Sequence, residues 1–180
     1  MGFEIRGERV LLRDWRDSDL TPFAELNADP QVRRYFPNVL SQDQSNASAA
    51  FLREHAMREG FTFWAVEVPG VADFIGFVGL LRIQFEAPFT PGVEIGWRLA
   101  RAYWGNGYAT EAAKLALDYG FTTLRLDKIV AITTPENHPS QAVMLNIGMT
   151  RDHAGDFDHP NLPAGHPMRK HVTYHIHRDR

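Results

Sequence analysis

Cysteine is absent from the 180 residues, which excludes disulfides, thiolate metal sites and a cysteine nucleophile and fits the cytoplasm. No apolar run approaches the roughly 20 residues of a membrane-spanning helix, and no basic-then-apolar leader opens the chain. An excess of one charge is missing too. The formal net charge is -3 and the pI about 6.2, so nucleic acid is not an expected partner, and without a spanning run neither is a membrane. A Gly-Lys-Ser/Thr triplet is also lacking, which removes a Walker loop. What is present is ordinary for a globular protein, 44% hydrophobic and 23% charged residues. One domain over residues 1–180 can bury a real core.

Val10 to Trp15 reads as a short strand, stopped at Asp17-Ser18-Asp19, where a capping side chain can start a helix carrying Leu20, Phe23, Ala24 and Leu26. Asp29-Pro30 breaks it. A second helix begins near Ser41 to Gln44, carries Ala50, Phe51, His55 and Met57 around it, and ends at Gly60. Phe61–Val68 and Phe74–Leu81 are strands joined by the turn residues Pro69-Gly70. Val93–Leu99 is a further strand. Ala109, Ala112, Ala113, Ala116, Leu117, Phe121 and Leu124 then recur at helical spacing, and Lys128–Thr133 returns to strand. Pro139–Asn146 reads as a short helix closed by Gly148, and His171–His177 as a terminal strand. This order implies an α/β domain with one mixed sheet flanked by helices.

The most informative segment runs from Trp97 to Ala112, where a strand ends, Gly105 and Gly107 follow, and a long helix starts. Helix N-termini carry unpaired N–H groups and the positive end of the macrodipole, so they bind phosphate. Glycine lets the backbone approach such a ligand. The alternative is a turn whose glycines serve geometry alone. A dinucleotide fingerprint needs a third glycine where Thr110 stands, and an acid at the end of the next strand, whereas Asp127 precedes that strand.

Trp104-Gly105-Asn106-Gly107-Tyr108-Ala109-Thr110-Glu111-Ala112 resembles the acetyl-CoA pyrophosphate loop of GNAT acetyltransferases, in the form found in the RimJ/RimL-like branch. The general family loop has Gln or Arg where Trp104 stands. Asn137-His138-Pro139-Ser140, followed by Val143 and Gly148-Met149, resembles the helix lining the other side of the coenzyme. The resemblance spans about residues 8–178 and implies a GNAT fold: a central, mixed, mostly antiparallel twisted sheet flanked by helices, with splayed strands holding acetyl-CoA. It also implies coenzyme contacts at Ile95, Trp97, Arg98 and Leu99 for the pantetheine arm, and at Trp104, Gly105, Asn106, Gly107, Tyr108, Ala109 and Thr110 for the pyrophosphate. Asn137 and Ser140 would complete the set, Asn137 also being fit to cap a helix. Gly96 fits a bulge or close backbone approach, or else packing under an aromatic.

The implied reaction moves an acetyl group to a primary amine, on a protein N-terminus or a small molecule, by direct attack. A base must first take a proton from the amine. Glu94 is the candidate, with an ion pair to Arg98 or Arg82 as its alternative. The family's usual acid is a tyrosine at the position of Met144, which cannot donate, so Ser140 is the remaining candidate. Glu111 reads as a first-turn carboxylate favoured by the helix dipole. A coenzyme-binding module acting through protein interaction is the alternative from another class. No metal is expected: His171, His175 and His177 share one strand face without converging, which reads as a solvated face. The run Asp156-Phe157-Asp158-His159-Pro160…Gly165-His166-Pro167 resembles a set of RimJ/RimL-like proteins. On that ground Asp158, His159 and His166 are expected to shape the acceptor site, with a loop merely rigidified by Pro160, Pro163 and Pro167 as the alternative. A homodimer is compatible with the resemblance.

Overall fold

Apolar side chains on both faces of the central strands demand cover on both sides, and the chain supplies it with helices from two different regions. The structure, a computed structural model, describes residues 2–178. Its elements are β1 (Glu4–Arg6), β2 (Leu11–Arg13), α1 (Leu20–Ala28), α2 (Gln42–Glu59), β3 (Phe63–Val68), β4 (Ala72–Arg82), β5 (Val93–Leu99), α3 (Tyr108–Thr122), β6 (Lys128–Thr133), α4 (His138–Asn146), β7 (Thr150–Asp158) and β8 (Lys170–His177). They form one eight-stranded sheet in the order β1-β2-β3-β4-β5-β6-β8-β7. Neighbours are antiparallel except β5 and β6, which run parallel. The expected mixed, mostly antiparallel sheet is therefore what forms.

Alternation along the strands splits the core in two. Trp64, Val66 and Val78 join Ile95, Ala112, Ala116 and Ile129 under α3 and α4. Ala65 and Phe77, one residue out of phase, join Trp15, Phe23, Ala49 and Leu52 under α1 and α2. The α2 helix is capped reciprocally: Gln44 N–H donates to Ser41 Oγ at 3.2 Å and Ser41 N–H to Gln44 Oε1 at 2.9 Å. Of the side chains read around it, His55 alone turns inward. Ala50 is exposed, as are Phe51 (39%) and Met57 (79%), and the buried face belongs to Ser45, Ala49 and Leu52.

The start of α1 is pinned by charge. Asp19 accepts the Arg16 N–H at 2.7 Å and binds the buried Arg13 guanidinium bidentately at 2.8 and 2.9 Å. Arg13 Nε also donates to Glu67 at 2.8 Å. Burial alone would lower the Arg13 pKa, but the bonds and charges of Asp19 and Glu67 raise it on balance. Two strands were not anticipated, β1 and β7. Asp156, Phe157 and Asp158, expected to border a loop, end β7 on the edge of the sheet instead.

Candidate active site

Along one edge β5 is fully paired to β4, from Gly76↔Leu99 to Arg82↔Val93. Along the other it meets β6 only at Glu94↔Val130. Past that point the two parallel strands splay, and the β6-facing backbone groups of Ile95 to Leu99 look into a gap. A cleft of about 570 Å³ opens there, lined by Glu94 through Leu99 and reaching Trp104, Ala109, Asn137 and Ser140.

The glycine turn closes one end of that cleft. Gly105 and Gly107 have φ of +73° and +79°, which side chains rarely adopt, and Gly107 is the N-cap of α3 without any side-chain cap. The first helical bond is Glu111 N–H to the Gly107 carbonyl at 3.0 Å. Among the described residues, no acceptor meets the N–H groups of Gly105, Asn106, Gly107, Tyr108, Ala109 or Thr110. Six consecutive amides, running from the turn through the first turn of α3, form a donor array fit for an anion. The turn is braced from outside. Glu111 accepts the Arg9 backbone N–H at 2.7 Å and its Nε at 2.8 Å, while Arg9 Nη1 donates to the Asn106 carbonyl at 2.9 Å. Burial acts to raise the Glu111 pKa, but these bonds outweigh it and hold the carboxyl below its ordinary value. Glu111 thus ties the turn to the β1–β2 connection, beyond the dipole role read from sequence. Trp104 is 47% exposed and donates its indole N–H to the Leu99 carbonyl at 2.8 Å.

Glu94, Gly96 and Arg98 alternate onto the face covered by α1 and α2, opposite to Ile95 and Leu99. Glu94 sits in the cleft wall, half-buried, and forms no ion pair with Arg98 or Arg82; Arg82 instead binds Glu59 at 2.8 Å. Enclosure by protein pushes its carboxyl up to about 7. Gly96 makes no bulge, since β4 and β5 keep register through Gly79↔Gly96. A Cβ there would lie 2.8 Å from the Phe63 ring, so the packing alternative is the one the structure adopts.

On the far side of the gap, Asn137 caps α4, accepting the Ser140 N–H at 3.3 Å, and donates to Thr133 Oγ1 at 2.8 Å. The Trp97 indole donates to Ser140 Oγ at 3.0 Å. Met144 is buried beneath, 2% exposed.

Of the three residues expected to shape the acceptor site, the structure brings His159 into the cleft and leaves Asp158 and His166 outside its lining. Asp158 pairs with Arg169 at 3.4 Å, and His166 Nδ1 accepts the Met168 N–H at 3.1 Å within its own turn. His171, expected on a solvated face, turns into the cleft instead. It pairs across strands with Phe157 and lies 5.0 Å from the His159 ring. Burial lowers both histidine pKa values, and the neighbouring His171 charge lowers that of His159 further. Tyr35 and Phe36 line the cleft, whereas Trp64 is core.

Comparison with known proteins follows this geometry. The family model described as an acetyltransferase (GNAT) domain matches residues 9–150. Spermidine N(1)-acetyltransferase of Escherichia coli (strain K12) is 46% identical over 145 residues, 78% of this chain and 73% of that one. The GNAT-family acetyltransferase from Bacillus anthracis superposes with a TM-score of 0.80 at 29% identity, covering 97% of this chain and 98% of the other. RimJ of Mycobacterium smegmatis, solved in complex with CoA-disulfide, shares the fold with a TM-score of 0.75 at 22% identity, covering 98% of this chain and 86% of RimJ. The chain belongs to the GNAT acetyltransferase family and is an N-acetyltransferase. The interaction-module alternative gives way to that finding.

Proposed function

We propose that the chain moves an acetyl group from acetyl-CoA to a primary amine, of a protein N-terminus or a small molecule, by direct attack in the β5–β6 gap, in the manner of the RimJ/RimL-like branch. The observation that carries this is the row of unbonded amides from Gly105 to Thr110, set where the splayed strands leave the β6-facing backbone of Trp97 without a strand partner. The residues fit the group. The donor turn suits a diphosphate, and an extended arm can pair with the open edge of β5 as an added strand would.

When bound, acetyl-CoA supplies an activated acyl group; the protein places, deprotonates and holds. Glu94 takes the proton from the incoming ammonium, directly or through water. A carboxyl poised at about 7 is matched to that task at neutral pH. Backbone N–H groups in the gap steady negative charge as it builds on the carbonyl oxygen. Ser140, whose oxygen already accepts from Trp97, keeps its own O–H free to donate to the departing sulfur. A thiol with an ordinary pKa of about 8.5 asks little more, which accommodates Met144 in place of a phenol.

A thiol-release assay with acetyl-CoA, run against neutral, acidic and cationic amines and short N-terminal peptides, tests the reading. Release that depends on the amine, with an acetylated product by mass, is expected. Coenzyme binding with no amine-dependent release would overturn it.

A further inference from the structure

The most conspicuous unspent charge in the cleft is Arg98. Its backbone belongs to the β5 wall, but its side chain shares the Glu94 face and lines the cleft. Nη1 donates to Asn27 Oδ1 at 2.8 Å. Nε is buried without a partner, and Nη2 has none among the described residues. No carboxylate among them approaches Arg98 within 4.0 Å. The guanidinium stacks instead, with Cζ 4.2 Å from the Phe36 ring centroid and 5.1 Å from that of Phe77.

A second cation shares that ring. Arg33 Cζ lies 4.4 Å from Phe36, and its Nε donates to the Asn38 carbonyl at 2.8 Å, again with no carboxylate within 4.0 Å. Burial and the charge of Arg33 pull the Arg98 pKa down to about 9, so the group is held charged at a cost. The charged residues lining the cleft are Arg34, Arg98 and Glu94. A tie to α1 through Asn27 alone could be made by a neutral amide. A desolvated planar fork with an open edge is the shape that receives a carboxylate.

We propose that Arg98 determines specificity by binding a carboxylate of the acceptor, so that the preferred substrate is an amine that also carries an acid, such as a peptide with Asp near its N-terminus. The proposal rests on the acetyltransferase reading above and adds the substrate class. Glu94 and Arg98 stand four residues apart on one strand, about 13 Å between Cα atoms. An extended peptide covers that span in about four residues, so an acid one or two residues from an amine at Glu94 is met only through the length of the Arg98 side chain. The cationic lining also disfavours a polyamine, whose positive charges would face Arg34 and Arg98.

The test compares matched acceptors, Ala-Asp-Phe-amide with Ala-Asn-Phe-amide and the α-amide of glutamate with the α-amide of glutamine, with spermidine beside them. The wild type should favour the acid of at least one pair by about tenfold or more in kcat/KM. Arg98→Gln should collapse that ratio, and Arg98→Lys should keep part of it. A structural role for Arg98 would lower turnover of both partners of a pair alike. Equal use of acid and amide by the wild type, preference for spermidine, or an unchanged ratio in Arg98→Gln would each overturn the proposal. If Arg98→Gln does not fold, the wild-type and Arg98→Lys ratios decide. A melting-temperature series with the two peptides reads carboxylate binding without turnover, so failure of the transfer reading is told apart from failure of this one. Selective stabilisation by the Asp peptide supports the proposal, and equal stabilisation counts against it.

Discussion

The Trp97 indole N–H donates to Ser140 Oγ at 3.0 Å, joining β5 to α4 across the gap where β5 and β6 part. The bond occupies the hydroxyl as an acceptor and leaves its hydrogen free to point into the cleft. Ser140→Ala removes that hydrogen and orphans a half-buried indole N–H. If Ser140 only hydrogen-bonds a good leaving group, kcat falls by less than about tenfold; a loss of roughly 10²–10⁴ would instead mark a full proton donor. Steady-state kcat at saturating acetyl-CoA distinguishes the two, and the smaller loss is predicted.

Glu94 yields a prediction with a sign. Its carboxyl titrates at about 7, so it is protonated and idle as a base below that pH and ready above it. The rate at saturating substrate should climb through pH 7, and Glu94→Gln should lose both that limb and about 10²–10⁴ in kcat while keeping its affinity for acetyl-CoA. Linkage adds a second readout. The folded chain holds this proton above the ordinary value of 4.5. Ionisation therefore costs stability progressively between about 4.5 and about 7, and Glu94→Gln should be the more stable protein at pH 8. Thermal melts across pH check this.

Gly107 stands at φ +79° as the cap of α3, with Arg9 Nη2 3.4 Å from where a Cβ would sit. Gly107→Val forces a β-branched residue into the left-handed region, at a strain of about 1–3 kcal/mol. It also crowds the array from Gly105 to Thr110. The melting temperature without ligand should fall by a few degrees, and the rise produced by acetyl-CoA should shrink sharply. A full rise in the variant would separate the turn from the coenzyme.

The Arg13–Asp19 pair is buried, with side chains 4% and 1% exposed. Asp19→Ala leaves Arg13 without its bidentate partner and removes the Arg16 cap. A loss of about 3–5 kcal/mol in unfolding free energy is expected, measurable by denaturant titration, with little change in acetyl-CoA affinity per folded molecule.

The glycine turn and the period change into α3 were readable because both are local: positive φ selects glycine, and a helix stripe repeats within one segment. The ends of β5 and β6 were legible for the same reason. The strand β7 was not. Thr150 to Asp158 is polar, lies on the sheet edge, and shifts register against β8 between Asp152 and Phe157, so no alternation survives to signal it. Arg98 was assigned through its backbone, since nothing in a strand segment tells that a side chain will stack on Phe36, dozens of residues away. His171 turned into the cleft for a comparable reason: its partner, Phe157, belongs to the strand that sequence did not reveal.

Backbone amide shifts on adding acetyl-CoA test the central claim most directly. Titrating ¹⁵N-labelled protein should move the resonances of Gly105 through Thr110 most, with Ile95 to Leu99 next. Saturable binding that leaves the Gly105 to Thr110 amides where they were would contradict it.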